Sequence, residues 1–293
     1  MKIQIVSDLH LEFRDKDISN ILVPSAPILC MVGDICVCGS TVDFNKFINF
    51  LKYYIFKFQH IIHVSGNHEY YTATNATAKE IMHNTIPEID KKLRLLTKEY
   101  PNYHYLNNNI WSYLSPKNKH NYVFVGTTLW THIPNKMITT NEKKGTKESI
   151  ASLIEKQMND YNYIYVPIKD RFDKWHYRNY TVSDMQKKHT VAFRFIKKVI
   201  ADVKKNKSAN TTYILLTHHK PLFDRKTDKQ DEHTYAYESD LAKEILVEPF
   251  ILAAHGHTHV HYDRRVNGVR VVSNPKGYID EKTNFNDKFT VQI

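Results

Sequence analysis

Residues 2–10 read KIQIVSDLH, an apolar run that ends in the metal-ligand types Asp8 and His10. A short apolar run followed by polar residues predicts a buried β-strand that leads into a loop. The same arrangement recurs in PILCMVGD at 27–34 and in HIIHVSGN at 60–67. Because open α/β sheets bind ligands at the carboxyl ends of their strands, we expect these polar residues to meet at one edge of a sheet.

The remaining sequence continues an α/β pattern. Apolar spacing predicts helices at 42–58, at 76–100 with an interruption at Pro87, and at 183–205. A further helix is predicted at 239–248, where Ser239 and Asp240 form a candidate N-cap. Further strands are predicted at 122–130, 211–219, 250–259, 261–266 and 269–274. Asn267 and Gly268 favour a hairpin turn between the last two strands.

The chain of 293 residues is long enough for one large α/β domain or for two domains of ordinary size. The candidate site residues extend from Asp8 to His259, and this favours a single domain over 1–293. Segment 132–182 is polar, rich in tyrosine and only weakly periodic. We predict that this segment is an insertion or cap over the core.

Candidate metal ligands follow the predicted strands along most of the chain. They are Asp8, His10, Asp34, Asn67, His218, His257 and His259. This set is large enough for two divalent ions that share the Asp34 carboxylate. Oxygen and imidazole ligands without sulfur suit Mn, Fe, Zn, Co or Ni. Two such ions activate a water molecule and hold the oxygens of a phosphoryl group, so the pattern predicts a metal-dependent phosphoesterase.

The ordered blocks SDLH, GD, GNHE, THH and GHTH resemble the calcineurin-like metallophosphoesterase superfamily. The resemblance implies an α/β sandwich of two mixed β-sheets flanked by helices. It also implies that one ion binds Asp8, His10, Asp34 and His259, and that the other binds Asp34, Asn67, His218 and His257. Flanking pieces such as GNHEYY, GTTLW and THHKPL resemble a branch of small, largely uncharacterised members.

The same resemblance assigns residues to the substrate. It implies that His68 contacts the phosphate and acts as the general acid, which suits an imidazole that titrates near neutrality. Asn67 and His219 complete the predicted substrate-binding set. The alternatives are a supporting role for His68 and a packing role for His219. Glu69 is expected to support the ligands rather than to bind metal, and manganese is the expected activating ion.

Charge and cysteine content restrict the partners and the compartment. Lys and Arg number 41 against 31 Asp and Glu, which gives a formal charge of +10. This charge favours phosphate esters, nucleotides or nucleic acid, and it equally fits a lysine-rich solvated surface. Cys30, Cys36 and Cys38 are odd in number and clustered, so they fit a reducing cytosol better than a disulfide framework. The Cys-x-Cys pair is alternatively a separate metal site.

No run of the sequence has the length and apolar character of a membrane span or of a signal peptide. We therefore expect a cytoplasmic protein without a membrane partner. The leading prediction is hydrolysis of phosphate monoesters, diesters or both, including those of nucleotides, by metal-activated hydroxide. A nuclease is the first alternative, supported by the basic charge but opposed by the short sequence after GHTH. A non-catalytic binding module is the second, although such relatives typically lose ligands.

Overall fold

The computed structural model describes residues 1–14, 18–133, 138–141, 146–206, 208–223 and 233–293. Within these ranges the strands are β1 (Lys2–Val6), β2 (Ile28–Val32), β3 (His60–Val64), β4 (Tyr103–Leu106), β5 (Asn109–Leu114), β6 (Asn121–Thr127), β7 (Ile138–Asn141), β8 (Thr146–Ser149), β9 (Tyr165–Lys169), β10 (Trp175–Asn179), β11 (Thr211–Thr217), β12 (Phe250–Ala254), β13 (Tyr262–Val266), β14 (Val269–Ser273) and β15 (Thr290–Gln292).

The helices are α1 (Thr41–Tyr54), α2 (Ala78–Met82), α3 (Ile86–Glu99), α4 (Ile150–Gln157), α5 (Asp160–Tyr163), α6 (Val182–Lys205), α7 (Thr234–Tyr237) and α8 (Ala242–Ile245). Single turns of 3₁₀-helix follow β1 and β3 at Leu11–Phe13 and His68–Tyr70. In the part of the chain that the structure describes, none of these helices is both long and apolar enough to cross a bilayer.

Two mixed sheets form the centre of the fold. The first has the strand order β15-β1-β2-β3-β4, in which β1 to β4 are parallel and β15 is an antiparallel edge strand. The second has the order β13-β14-β12-β11-β6-β5, with antiparallel strands at both edges of a parallel centre. The predicted fold class, an α/β sandwich of two mixed sheets, is confirmed.

Apolar side chains from both sheets pack against each other in the middle of the sandwich. Ile5, Val32 and Val64 of the first sheet share one buried cluster with Phe124 and Leu216 of the second. Helices α1 and α3 cover the outer face of the first sheet, and α6 and α8 cover that of the second. The resulting layers are helix, sheet, sheet and helix. Loops that carry polar residues follow the carboxyl ends of the parallel strands β1, β2, β3, β11 and β12.

Helices α2 and α3 are separated near Pro87. The predicted interruption at Pro87 is confirmed, because α2 ends at Met82 and α3 starts at Ile86 with the proline in its first turn. A proline is tolerated there because the first amides of a helix have no intrahelical partner.

The N-cap predicted at Ser239 is wrong. Its hydroxyl instead accepts a hydrogen bond from the His132 amide at 3.0 Å, and the short helix α8 begins only at Ala242.

Segment 132–182 contains more regular structure than its sequence indicated. Strands β7 and β8 pair with each other, β9 and β10 form a second hairpin, and α4 and α5 lie between them. Residues 134–137 and 142–145 of this segment lie outside the described residues. Helix α5 matters for function because it carries Asp160, which is buried beside Asn67.

Candidate metal centre

Every predicted metal ligand lies just beyond the carboxyl end of a parallel strand. Asp8 and His10 follow β1, Asp34 follows β2, Asn67 follows β3, His218 follows β11, and His257 and His259 follow β12. These strands come from both sheets, so the ligands meet where the two sheets end side by side. The order of the strands in space therefore explains how residues far apart in sequence converge.

The backbone is left-handed at most of these positions. The φ angles are 53° at Asp8, 45° at His10, 53° at Asp34, 69° at His257 and 51° at His259. Residues with a side chain rarely adopt this conformation, which costs on the order of 1 kcal/mol or more at each position. Hydrogen bonds between the loops hold it: the Asp8 amide donates to Gly33 at 2.9 Å and the His10 amide to Asp34 at 3.1 Å.

One group of ligand atoms is formed by Asp8, His10 and His259. The Nε2 atoms of the two histidines are 3.1 Å apart, and Nε2 of His259 is 3.5 Å from Oδ1 of Asp8. All three residues offer atoms within 4.8 Å of one another. The other carboxylate oxygen of Asp8, Oδ2, is buried and has no hydrogen-bond partner among the described residues.

A second group is formed by Asp34, His218 and His257. Nε2 of His218 lies 3.3 Å from Oδ2 of Asp34 and 3.1 Å from the amide oxygen of Asn67. Nε2 of His257 is buried and has no partner in the described part of the chain. Asp34 belongs as well to a third group, with His10 and His68, so its carboxylate lies between the first two groups.

These arrangements fit two divalent cations. A buried polar atom without a partner is unfavourable unless something compensates it, and Asp8 and His257, one in each group, both have such an atom. Carboxylate and imidazole donors without sulfur suit first-row divalent ions. The residues of the two groups, together with Asn67, are therefore the residues that would hold the ions.

The charged groups of the centre shift one another's pKa values. Burial alone would raise the pKa of Asp34, but the neighbouring His218 and His68 hold it well below its usual value. Burial alone would lower the pKa of His218, but Asp34 and Asp8 raise it to about 9. Burial and the adjacent His219 and His218 instead hold the pKa of His257 well below its usual value. A cation bound here would displace the proton of His218, because metal binding and protonation compete.

Neighbouring acceptors fix the orientation of the ligand histidines. Nδ1 of His218 donates to the carbonyl of Val32 at 3.0 Å, and Nδ1 of His259 donates to Glu281 at 2.5 Å. Each bond turns Nε2 of the ring toward the centre. Such partners commonly determine both the tautomer and the basicity of a metal-binding histidine.

Glu69 connects two of the ligand loops. Its carboxylate accepts hydrogen bonds from the amides of Asp34 at 3.0 Å, Ile35 at 2.8 Å and Gly66 at 2.6 Å. It thus has the supporting position expected for it rather than a place among the ligands. Gly66 must lack a side chain, since an added Cβ would lie 2.1 Å from Oδ1 of Asp34.

The family model for calcineurin-like phosphoesterases matches residues 1–261. The chain belongs to the calcineurin-like phosphoesterase family. It is also 28% identical over 319 residues to the uncharacterized protein L509 of Acanthamoeba polyphaga mimivirus, with 99% of this chain and 96% of that protein covered. The fold is similar to that of the phosphopantetheinyl hydrolase PptH from Mycobacterium tuberculosis, with a TM-score of 0.62 and 17% identity over 94% of this chain and 89% of that one.

His68 lies beside the candidate metal ligands of this calcineurin-like phosphoesterase, close to His10 and Asp34. Its amide donates to Oδ1 of Asp34 at 2.8 Å, its Nδ1 donates to Glu12 at 2.9 Å, and its Nε2 lies 3.3 Å from the hydroxyl of Tyr278. The ring stacks on Tyr71 with 4.3 Å between centroids. Burial alone would lower the pKa of His68, but Asp34 and Glu12 raise it to about 9.

His219 has a different environment from its neighbour His218. It is buried, its Nδ1 is 3.1 Å from the carbonyl of Thr128, and its ring packs against His257 with 4.2 Å between centroids. Burial and the charge of His218 lower the pKa of His219 to about 3. The substrate contact expected for His219 stays a prediction, whereas the packing role weighed against it agrees with these contacts.

Several supporting residues of this phosphoesterase were not recognised from the sequence. The buried carboxylate of Asp160 accepts hydrogen bonds from the amide nitrogen of Asn67 at 2.8 Å and from the hydroxyl of Tyr71 at 2.6 Å. The bond to Asn67 turns its amide oxygen toward His218. Asp160 lies in the irregular segment and gave no signal. Glu12 follows the SDLH block by two residues and was recognisable by that closeness to the ligands.

A cavity of about 380 Å³ opens onto the centre. Asp34, Asn67, His257 and His259 line it together with His68. Four of the seven predicted ligands and the predicted general acid of this family member therefore line the same space, which is large enough for a phosphate group and part of its ester.

Proposed function

We propose that this phosphoesterase hydrolyses small phosphate esters, monoesters or diesters and including those of nucleotides, with two divalent metal ions. The observation that supports the proposal is the position of the Asp34 carboxylate, which is shared by the group containing His218 and His257 and the group containing His10 and His68. A carboxylate between two sets of ligands suits a pair of neighbouring cations better than it suits a single one.

The bound cations would lower the pKa of a water molecule and offset the charge of the phosphoryl group. The chain itself supplies the other functions. His68 lines the cavity beside the predicted ligands, and its imidazole is suited to protonate the departing oxygen. Glu12 and Tyr71 hold the plane of that ring. Asp160 orients Asn67, which serves as a ligand and as a contact to the phosphate.

The two alternatives receive less support. A nuclease needs basic side chains along the phosphate backbone, but the described residues that line the cavity include neither lysine nor arginine. A non-catalytic binding module typically loses ligands, whereas this chain has all seven of the predicted ones. Manganese remains the ion we expect to activate best, since the oxygen and nitrogen ligands accept it readily.

The metal dependence is tested with bis-p-nitrophenyl phosphate and p-nitrophenyl phosphate, using protein stripped of metal and then loaded with manganese. Asp34→Asn should lower kcat by on the order of 100-fold or more, because the variant loses the charge shared by both ions. Asp263→Asn, on an exposed strand where Asp263 pairs only with Arg270 among the contacts described here, is the matched control and should retain full turnover. Equal turnover in Asp34→Asn and the wild type would refute the proposal.

A substrate panel then separates the alternatives. Cyclic nucleotides, mononucleotides, glycerophosphodiesters and single-stranded DNA are compared with manganese. Faster cleavage of DNA than of every small ester would favour the nuclease.

We also propose a reducing compartment such as the cytoplasm, because Cys30, Cys36 and Cys38 are free and buried.

A further inference from the structure

A second chamber adjoins the metal cavity. This outer chamber has a volume of about 820 Å³, compared with about 380 Å³ for the cavity at the metal centre. His68, Tyr71, Asn159 and Tyr278 line both spaces. Among the described residues, four of the predicted metal ligands line the inner cavity, and none lines the outer chamber. His68 therefore lies at the boundary between the two.

The wall of the outer chamber is aromatic and acidic. Phe13 and Tyr278 meet edge to face with centroids 5.6 Å apart, and Tyr71 and Tyr163 lie at 5.7 Å. The apolar side chains of Val37 and Ile279 extend this surface. Aromatic rings in such a wall favour a flat apolar group, which can stack on them or meet them edge to face.

Three carboxylates line the same wall, and one of them, Asp43, pairs with Lys46 at 3.5 Å. They are Glu12, Asp43 and Asp280, and the wall contains neither lysine nor arginine in the part of the chain that the structure describes. Oε1 of Glu12 is within hydrogen-bond distance of Nδ1 of both His10 and His68, and its Oε2 has no partner among the described residues. An anionic group in the chamber would meet like charge and would lose its hydration.

The position of His68 relates the outer chamber to the reaction. Hydrolysis forms a bond from the water oxygen to phosphorus and breaks the bond from phosphorus to the ester oxygen. The departing oxygen takes a proton from the general acid, and the water gives up a proton to solvent. The departing alcohol must therefore lie on the side of His68, and this is the side on which the outer chamber opens.

We infer that the outer chamber binds the leaving group of the substrate, and that this group is an alcohol that carries an uncharged aromatic ring. The inference rests on the proposed phosphoesterase function and names the part of the substrate that this function leaves open. A leaving group with further phosphates, such as a nucleic acid strand, is disfavoured by the carboxylates of the wall.

The test compares methyl 4-carbamoylphenyl phosphate with methyl 4-carboxyphenyl phosphate on manganese-loaded protein. The two diesters have the same shape and differ in the charge at the far end of the leaving group. Each kcat/KM is divided by the rate of alkaline hydrolysis of the same ester, which removes the intrinsic difference in reactivity. We expect a preference of at least about tenfold for the uncharged ester, because the carboxylates and the low polarity of the wall act against the anion.

Introduced lysines test the position of the leaving group. Ala73→Lys and Thr74→Lys each place a cation on the chamber wall, and Ala201→Lys places one on an exposed part of α6 as the matched control. We expect either wall variant to shift the ratio by at least about fivefold toward the carboxylate ester, since an opposite charge in a confined space stabilises it. Ala201→Lys should leave the ratio unchanged. Two wall positions are used so that poor folding of one does not decide the result.

Binding of the product provides a readout that does not depend on turnover. Isothermal titration calorimetry of the metal-loaded protein should detect 4-hydroxybenzamide more readily than 4-hydroxybenzoate. Phe13→Ala should weaken the binding of the amide by at least about threefold, because an edge-to-face partner is lost.

The outcomes separate this inference from the proposed function. If both esters are hydrolysed and their ratio is the same in the wild type, both wall variants and Ala201→Lys, the leaving group lies elsewhere and the inference is overturned while the hydrolase stands. A wild-type preference for the carboxylate ester would overturn it as well. If the manganese-loaded wild type hydrolyses neither these esters nor p-nitrophenyl substrates, the proposed function fails and the inference fails with it.

Discussion

Oε1 of Glu12 lies 2.9 Å from Nδ1 of His68. The same oxygen lies 3.1 Å from Nδ1 of His10, so one carboxylate oxygen accepts a hydrogen bond from a predicted metal ligand and from the predicted general acid. Glu12 is almost entirely buried, and its Oε2 has no partner among the described residues. The candidate metal centre and the predicted proton donor are thus both bonded to Glu12, and a change at this residue is expected to affect both.

Glu12→Gln keeps the size of the side chain and removes its charge. We expect kcat to fall by roughly 10- to 100-fold, in the range found when a residue that orients a metal ligand is lost. KM should change less than kcat, because Glu12 is hydrogen-bonded to His10 and His68 and is not itself one of the predicted ligands. Steady-state kinetics and a manganese titration measure both effects. Glu88→Gln, on the exposed surface of α3, is the matched control; an equally small effect of the two substitutions would contradict this role for Glu12.

Gly66→Ala is expected to abolish metal binding. The added Cβ would lie 2.1 Å from Oδ1 of Asp34 and 2.6 Å from its amide nitrogen, so the shared carboxylate or its loop must move. The content of bound metal, measured by elemental analysis after dialysis, should fall below one ion per chain. Gly268→Asn serves as the control, because a Cβ there meets nothing within 4 Å and asparagine tolerates a left-handed turn. Full metal content in Gly66→Ala would show that the Asp34 loop tolerates the shift.

Asp160→Ala should weaken metal binding through Asn67. Without the carboxylate, the Asn67 amide nitrogen loses its 2.8 Å contact and keeps only the 3.2 Å contact to the Tyr71 hydroxyl, which itself loses its bond to Asp160, so the amide is held less firmly. We expect the affinity for the more weakly held ion to fall by roughly 10- to 100-fold. Asp160→Asn retains an oxygen acceptor and should have a smaller effect. Competition with a fluorescent chelator measures the affinity, and equal affinities of the alanine and asparagine variants would argue against this role of Asp160.

A pH effect on stability is expected from two histidines far from the metal centre. His60 and His104 are neighbours on β3 and β4, with Nδ1 of His60 3.0 Å from Nε2 of His104. Burial and the nearby His60 lower the pKa of His104 to about 4. The unfolded chain therefore binds the proton more readily than the folded one, and stability is lost as the pH falls from about 6.5 toward 4.

The measurement for this effect is the urea midpoint at several pH values in the presence of a chelator, which removes the contribution of bound metal. The His104→Gln variant should show a shallower loss of stability between pH 6.5 and 4 than the wild type, since it cannot take up the proton. A loss of the same steepness in both proteins would mean that other groups cause it.

The candidate ligands stand out in the sequence because each follows an apolar run, and the blocks are informative together rather than one at a time. The order of the strands within the two sheets was not predicted. The supporting residues were not accessible in this way. Asp160 contacts Asn67 although the two lie 93 residues apart in the sequence. Neither the spacing of apolar residues nor the composition of its segment indicates that Asp160 belongs to the site. Its role depends on how α5 packs on the loop after β3.

The errors in the secondary structure have a similar cause. Ser239 has the chemistry of an N-cap, but its hydroxyl is used by the amide of His132 from a distant loop, so tertiary contact overrides local preference. Strand β15 is only three residues long and pairs with β1 at the sheet edge, which leaves too short a pattern to detect. The hairpin turn at Asn267 and Gly268 was predictable because its left-handed backbone is local and is confirmed by φ angles of 49° and 87°.

The ligands of the metal centre come from the ends of β1, β2, β3, β11 and β12, which belong to two different sheets. No contiguous fragment limited to one sheet contains the residues of both groups. Ion uptake during refolding therefore has to wait until the amino-terminal and carboxyl-terminal halves have docked. The rate at which a refolding chain captures manganese should report the last stage of its assembly, and amino-terminal fragments released during synthesis should capture ions poorly.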